Sequence, residues 1–231
     1  MLSKRDQTLI NDYPEEERRE YNQDMASSTE NHVVYINDKR CEAFSYTQLF
    51  MNAFKFDAYL NSDYKNMVQF GASTGDVLGK YQDKGWNTIG YEVDDIGVSE
   101  MAKKGITTRK IDLNSIELKT NKLSYEAQLE TDLALPTHII LVRTLHYLQD
   151  SAIKLLIFKL IDEAKPGSVF FISGMVQLHN KKDDSNPMLL SNYIPSFFGP
   201  RSDMEFKHLS VNESKQSCTR LEEVMIVRKL G

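Results

Sequence analysis

The sequence predicts an α/β fold: a seven-stranded, mostly parallel sheet with helices on both faces and an antiparallel strand pair at its C-terminal end. Three observations support this prediction. Between about residues 66 and 172, short apolar runs alternate with segments of helical length, a pattern typical of right-handed crossovers in a parallel sheet. The apolar run at residues 139–142 is continuous, as expected of a strand covered on both faces. The last two β-prone segments lack a helix-length spacer, which indicates an antiparallel pair.

Local patterns predict the individual elements. Residues 32–44 place two β-prone runs around an Asn-Asp turn, which predicts a hairpin. In residues 45–60 apolar side chains recur at helical spacing, which predicts a helix over the first strand of the sheet. The predicted elements of the sheet domain are, in order, strand 67–70, helix 76–84, strand 88–93, helix 98–104, strand 106–111, strand 137–142, helix 151–164, strand 168–172 and the strand pair 206–211 and 224–229.

The chain divides into two parts by pattern. Residues 1–65 form an N-terminal arm, the hairpin and a lid or packing helix, and residues 66–231 form the sheet domain. Within it, residues 114–136 are polar and weakly periodic, and residues 175–205 form a long irregular connection with three prolines. Long connections inside a compact domain are often functional, so this one is expected to face the substrate.

Composition limits the class of protein. The 231 residues carry 28 Lys+Arg and 33 Asp+Glu, a net charge of −5, and 41% are apolar. This length and apolar content fit a single ordered domain. An acidic chain lacks the positive field of a phosphate-backbone binder, so nucleic acid is not the expected partner.

The expected compartment is the cytoplasm. The N-terminus reaches a charged residue by Lys4 and has no apolar stretch of secretory length. The longest apolar runs are far shorter than the ~20 residues that cross a bilayer, so no membrane is expected. Cys41 and Cys218 are the only cysteines and show no metal-ligand spacing, so we predict reduced thiols and no metal site.

The loop after the first predicted strand is the first candidate for a ligand site. In open α/β sheets, ligands bind beyond the C-terminal ends of the strands. Gly71-Ala72-Ser73-Thr74-Gly75 stands there and opens a helix. Small residues let the backbone approach a ligand, and free amides at a helix N-terminus favour a negative group. A tight turn without a ligand explains the same residues equally well.

Two acids follow the next two predicted strands. Glu92 ends the second strand, 21 positions after Gly71, near the spacing expected for an acid that binds ribose hydroxyls. Asp112 follows the third strand and could accept from an adenine amino group. Singly, the two are also explained as a loop acid and a turn residue. Together with the glycine turn, they describe a ligand that contains adenosine.

These segments resemble the motifs of the class I, Rossmann-like, S-adenosylmethionine-dependent methyltransferases. The sequence VQFGASTG at 68–75 resembles the first motif, and the segments around Glu92 and Asp112 resemble the second and third. The segment from Val142 and the Lys-Pro-Gly turn at 165–167 are similar to the family's fourth strand and its turn into the fifth. The resemblance spans residues 66–175 and implies a three-layer sandwich with S-adenosylmethionine as cofactor. The residues implied in cofactor binding are Gln69, Gly71, Ala72, Ser73, Gly75, Glu92, Val93, Asp112, Leu113 and Arg143.

Two departures from the family pattern leave alternatives open. Gln69 replaces the usual acid, and Ser73 replaces the middle glycine of the first motif. The chain is therefore either a working methyltransferase or a non-catalytic module that binds the cofactor for regulation. A nicotinamide-dependent oxidoreductase is a weaker alternative, because glycines at 71, 75 and 79 do not match its Gly-x-Gly-x-x-Gly fingerprint.

The end of the fourth predicted strand bears on the substrate. Val142-Arg143-Thr144-Leu145 lacks the Asn/Asp-Pro-Pro-Tyr segment of enzymes that methylate bases or amides, and it lacks the acid of magnesium-dependent enzymes. The segment resembles the metal-independent branch, which methylates an O, N or C nucleophile of a small molecule. His146 follows and is the candidate general base, although a cap or packing role explains it as well. Arg143 either lines the cofactor pocket or pairs with an acid.

Overall fold

A computed structural model provides the structure, and it describes residues 32–36, 39–43, 56–115, 126–142, 144, 145, 148, 150–178, 201–215 and 218–231. The predicted N-terminal arm, most of the predicted helix at 45–60 and most of the connection at 175–205 lie outside these residues. Within them, no helix is both long and apolar enough to cross a membrane.

The described chain forms nine strands, four α-helices and two short 3-10 helices, at Phe56–Tyr59 and Leu113–Ser115. The strands are β1 (His32–Ile36), β2 (Lys39–Ala43), β3 (Asn66–Phe70), β4 (Asn87–Glu92), β5 (Thr107–Lys110), β6 (His138–Val142), β7 (Val169–Leu178), β8 (Met204–Lys215) and β9 (Cys218–Lys229). The helices are α1 (Asp76–Gln82), α2 (Asp95–Lys103), α3 (Glu126–Asp132) and α4 (Asp150–Glu163).

Seven of these strands form one sheet, in the order β5-β4-β3-β6-β7-β9-β8. The pairs β4–β5, β3–β4, β3–β6 and β6–β7 are parallel, whereas β9 runs antiparallel to both β7 and β8. The predicted mixed sheet with an antiparallel C-terminal pair is therefore confirmed. The predicted N-terminal hairpin is also present, since β1 and β2 pair antiparallel with His32 opposite Ala43.

Apolar side chains cover both faces of the sheet, as the continuous run at 139–142 predicts. All five residues of β6 are buried. Ile139 and Leu141 belong to the cluster that holds the apolar side of α4, and Ile140 belongs to the cluster of α1 and α2. On the second face Phe56 packs edge-on against Phe171, with the ring centres 4.6 Å apart. Burying one such large side chain stabilises the fold by roughly 1.5–3 kcal/mol.

Several elements differ from the predicted bounds, among them β9, which begins at Cys218 rather than 224, and β8, which ends at Lys215 rather than 211. Strand β7 runs to Leu178, six residues beyond its predicted end, because Leu178 still pairs with Thr219 of β9. The substrate-side connection is accordingly shorter than the predicted 175–205 at both ends, since β8 begins at Met204. Helix α2 begins at Asp95 rather than 98, because the side chain of Asp94 accepts hydrogen bonds from two amides of its first turn.

Helix α3 lies within residues 114–136, whose periodicity is too weak to indicate it. Among its described side chains Leu129 is fully buried, as is Leu133 directly after the helix. A polar contact supplements this packing, because the Asp132 carboxylate at the end of α3 accepts from Arg109 of β5. Tertiary contacts of this kind do not appear in local patterns.

At the N-terminal end of the sheet, the buried His138 is fully paired. The Asn61 amide donates to its Nε2 at 2.9 Å, and its Nδ1 lies 3.1 Å from the Asn66 carbonyl oxygen. This pairing assigns the ring proton to Nδ1 and keeps the imidazole neutral. Burial lowers the pKa of His138 below its ordinary value of 6.5, although the carbonyl of Asn66 acts in the opposite direction.

Candidate functional site

The candidate site lies at the C-terminal ends of β3 and β6. Strand β3 pairs with β4 on one side and with β6 on the other, and the strand order reverses between β3 and β6. The chain therefore leaves these two neighbouring strands in opposite directions, which opens a crevice at their ends. The predicted glycine turn follows β3, and the predicted acid Glu92 ends β4.

The turn at 71–75 requires its two glycines. Gly71 and Gly75 have φ of 66° and 75°, in the left-handed region that L side chains rarely adopt. A Cβ on Gly71 would lie 2.7 Å from Thr144 Oγ1, and one on Gly75 would lie 2.5 Å from Met101 Cγ. The Gly71 amide donates to the Tyr91 carbonyl at 2.9 Å and so fixes the turn against β4. The two glycines are therefore required by the packing of the turn itself.

Ser73 holds the same left-handed conformation with a side chain, at φ 49°. For a residue with a Cβ this costs roughly 1–2 kcal/mol. The amide of Ser73 donates to Glu92 Oε2 at 2.7 Å. This charge-assisted hydrogen bond offsets the cost of the strained backbone and ties the turn to the end of β4.

Glu92 is buried and accepts hydrogen bonds from three backbone amides. Its Oε1 accepts from Val93 at 2.8 Å and from Asp94 at 3.1 Å, and its Oε2 accepts from Ser73. Gly97 of α2 packs directly behind it, so that a Cβ there would lie 2.9 Å from Glu92 Cγ. The carboxylate thus joins the glycine turn to the start of α2, and its position is fixed from behind.

Gln69 is the buried polar group of β3 closest in sequence to the turn. The residue is 2% exposed, and among the residues that the structure describes no donor lies within hydrogen-bond distance of its Oε1. A buried acceptor without a donor costs roughly 1–3 kcal/mol. Unpaired polar atoms of this kind call for a specific explanation, and a ligand with an N–H group provides one.

The remaining predicted residues fall into two groups. Asp112 is exposed and its Oδ1 accepts from the Asn114 amide at 2.9 Å, whereas Leu113 is part of the core. Arg143 and His146 lie outside the described residues, so their predicted roles stay predictions. In that part of the chain the structure places Leu145, which is buried after β6.

Thr144 is a residue of this site that the sequence reasoning missed. It is 6% exposed, and its hydroxyl donates to the Phe70 carbonyl at 2.7 Å. The same hydroxyl lies 3.2 Å from the Val142 carbonyl oxygen. Thr144 therefore joins the ends of β3 and β6 across the crevice. A threonine two residues after a strand carries no local signal for such a contact.

An ion pair between the half-buried Arg109 and the buried Asp132 was missed as well. The Asp132 side chain is 2% exposed and accepts from Arg109 through both oxygens, at 3.0 and 3.2 Å. The Tyr91 hydroxyl donates to the same carboxylate at 2.6 Å. Burial and this hydrogen bond raise the pKa of Tyr91, and the bond to Asp132 raises the pKa of Arg109. The cluster fixes β4, which ends at Glu92, and β5, which ends two residues before Asp112, against α3.

No family model and no curated protein matches this sequence. Solved structures do match the fold. A SAM-dependent methyltransferase from Anabaena variabilis aligns with a TM-score of 0.58 at 12% identity, covering 92% of this chain and 93% of that one. This chain has the class I methyltransferase fold. A [4+2]-cyclase, SpnF, shares it with a TM-score of 0.57 at 12% identity, covering 92% and 95% of the two chains.

A third structure with the methyltransferase fold holds a ligand. The N-methyltransferase NodS from Bradyrhizobium japonicum, in complex with S-adenosyl-L-homocysteine, aligns with a TM-score of 0.50 at 11% identity and covers 78% of this chain and 86% of its own. At such identities the likeness concerns the fold. In the described part of the chain, no group of three or more His, Cys, Asp or Glu side chains could hold a metal ion.

Proposed function

We propose that this chain binds S-adenosylmethionine and transfers its methyl group to an O, N or C nucleophile of a small molecule. The observation that carries the proposal is the position of Glu92, whose carboxylate is fixed at the end of β4 and bonded to the glycine turn after β3. The methyltransferase fold and its relative with bound S-adenosyl-L-homocysteine support the same proposal.

The residues of the site fit this cofactor by their chemistry. Glu92 provides a carboxylate acceptor for a ribose hydroxyl. The buried Oε1 of Gln69, which has no donor among the described residues, provides an acceptor for the amino group of the methionine part. The turn from Gly71 to Gly75 carries no bulky side chain, so its backbone can lie close to the ligand. Ala72, Val93, Leu113 and Asp112 surround the adenosine part in this proposal, with Asp112 accepting from the adenine amino group.

The bound cofactor would supply the electrophilic methyl group, so the protein contributes mainly orientation and a dry environment. Glu92 would hold the ribose and Gln69 the amino group of the methionine part, which together would orient the cofactor relative to the crevice. His146 removes a proton from the substrate where the nucleophile carries one, since its ordinary pKa lies near neutrality. Arg143 lines the cofactor pocket. The segments outside the shared core, namely the N-terminal part and the connection before β8, select the small molecule.

A second candidate function is that of a non-catalytic module that binds the same cofactor. Gln69 and Ser73 favour it, because both depart from the family's first motif and the Gln69 amide lacks the charge with which an acid helps to orient the ammonium group. The nicotinamide-dependent alternative is disfavoured by the antiparallel β9 and by the glycine spacing, since the dinucleotide-binding fold has a parallel sheet.

Two measurements test the proposal. Calorimetric titration with S-adenosylmethionine and with S-adenosylhomocysteine should show binding of both ligands. If neither ligand gives heat, both candidate functions are contradicted. Incubation of labelled cofactor with a pool of small metabolites should then yield a labelled product. Binding without transfer to any compound would favour the module over the enzyme.

A further inference from the structure

We infer that Glu92 recognises a single hydroxyl of the ribose rather than the vicinal diol. This inference rests on the proposed function and concerns how the same site distinguishes its ligand. It follows from the number of hydrogen bonds that the carboxylate already accepts within the protein.

A carboxylate offers about four acceptor positions, two on each oxygen. In Glu92, Oε1 accepts from the amides of Val93 and Asp94 at 2.8 and 3.1 Å, so both of its positions are occupied. Its Oε2 accepts from the Ser73 amide at 2.7 Å, which occupies a third position. Among the described residues no further donor bonds to Oε2, so one acceptor position remains there. A second hydroxyl can bind Glu92 only if one of the backbone amides first leaves it.

The surroundings hold all three amides in place. The Val93 and Asp94 amides belong to the residues that directly follow Glu92, at the start of α2. The Asp94 side chain caps α2 by accepting from the amides of Ile96 and Gly97. Gly97 packs closely against the turn and the acid, because a Cβ on it would lie 2.8 Å from the Ser73 carbonyl oxygen and 2.9 Å from Glu92 Cγ.

The Ser73 amide is held with equal firmness. The turn that contains it is fixed on one side by the Gly71 and Ala72 amides, which donate to the Tyr91 carbonyl at 2.9 and 3.0 Å. It is fixed on the other side by Lys104, whose Nζ donates to the Thr74 carbonyl at 2.8 Å. Releasing the Ser73 amide would leave its left-handed backbone without the charge-assisted bond that stabilises it.

The experiment compares three ligands on the unmodified 231-residue chain. S-adenosylhomocysteine and its 2′-deoxy and 3′-deoxy analogues are titrated by calorimetry at one pH and one salt concentration. One analogue should bind within about threefold of the parent, and the other should bind about 10- to 150-fold more weakly, the range expected for one hydrogen bond to a charged acceptor. Hydrogen exchange should show the Ser73 amide as protected in the complex as in the free protein.

The outcomes separate this inference from the proposed function. Comparable losses for both analogues, or loss of protection at Ser73, would show that the amide yields to the diol and would overturn the inference while S-adenosylhomocysteine still binds. Equal affinity for all three ligands would overturn it as well, because no hydroxyl would then contact Glu92. If S-adenosylhomocysteine itself fails to bind, the proposed function falls and the inference falls with it.

Discussion

The buried polar side chains at the two ends of β3 and β6 differ in whether their hydrogen-bonding atoms have partners. At the N-terminal end, His138 is 1% exposed and both of its ring nitrogens have partners, the Asn61 amide and the Asn66 carbonyl. At the C-terminal end, Gln69 is 2% exposed, and its Oε1 has no donor among the described residues. Complete pairing is what stability requires, and an incomplete pairing is typical of a site that a ligand completes.

The two residues that differ in this way lie close together in the sheet. His138 lies opposite Met67 in the β3–β6 register, and Gln69 lies opposite Ile140. Two positions along the same strands therefore separate a group that serves the fold from one that, in our proposal, serves the ligand. Substitutions at the two ends should accordingly change different measurements.

The largest effect is expected for Glu92→Ala. The substitution leaves the amides of Ser73, Val93 and Asp94 without their acceptor, and we expect a loss of roughly 2–3 kcal/mol in the free energy of unfolding. Affinity for S-adenosylhomocysteine should fall below detection in calorimetry. The matched control is Asp95→Ala, which removes a nearby exposed acid at the start of α2 that pairs with Lys110. That control should change stability by less than about 1 kcal/mol and leave binding intact. Unchanged affinity in Glu92→Ala would show that the ribose site lies elsewhere.

A comparable loss of stability, without loss of binding, is expected for His138→Ala. The substitution removes a fully buried ring, its contact with Trp86 and both of its hydrogen bonds. We expect the free energy of unfolding to fall by roughly 2–4 kcal/mol, measured by urea denaturation. Affinity for S-adenosylhomocysteine, measured below the unfolding transition, should stay within about twofold. A large loss of affinity in the folded variant would contradict the division between the two ends of the sheet.

Gln69→Met should lower the affinity for the ligand without lowering the stability of the protein. The thioether is close in size to the amide side chain and removes the buried acceptor without a donor. The protein without ligand should keep its stability or gain up to about 1 kcal/mol, because no desolvated oxygen remains. Affinity for S-adenosylhomocysteine should fall about 10- to 150-fold, the effect of one hydrogen bond to a charged group. A loss of stability together with unchanged affinity would indicate that Gln69 serves the fold.

The smallest effect concerns pH. Burial lowers the pKa of His138 from 6.5, so below that pH the unfolded chain binds a proton that the folded chain excludes. The contribution of this group to stability is therefore complete above pH 6.5 and is lost as the pH falls below it, by at most about 1.4 kcal/mol per pH unit. Urea denaturation of the parent and of His138→Asn between pH 5 and 7.5 isolates this contribution from the other histidines. Equal pH slopes in the two proteins would contradict the assignment.

The sequence allowed the fold to be predicted further than the site. Alternation of strand and helix patterns is local, and it located every strand of the sheet within a few residues at most boundaries, with β7 and the β8–β9 pair extending further. The extension of β7 to Leu178 and the position of α3 depend on partners distant in sequence, Thr219 and Arg109. For the same reason, no pattern indicated that Thr144 bonds to Phe70.

For the predicted site residues, the structure shows contacts that residue types and their spacing do not indicate. The spacing between Gly71 and Glu92 pointed to neighbouring strand ends, and the Glu92–Ser73 hydrogen bond joins them. That three amides would share the carboxylate depends on how α2 meets the turn, which is a property of the packed structure. The roles of Arg143 and His146 stay predictions.

The outer strand β8 has a consequence for solubility. It lies at the margin of the sheet, and its described part exposes Phe206, which is 54% accessible, between the exposed side chains of Glu205 and Lys207. An apolar edge strand is a template for intermolecular pairing, and flanking charges resist the approach of a second chain. The charged side chains of Glu205 and Lys207 therefore flank Phe206 on an outer strand of twelve residues, an arrangement that disfavours pairing with a second chain.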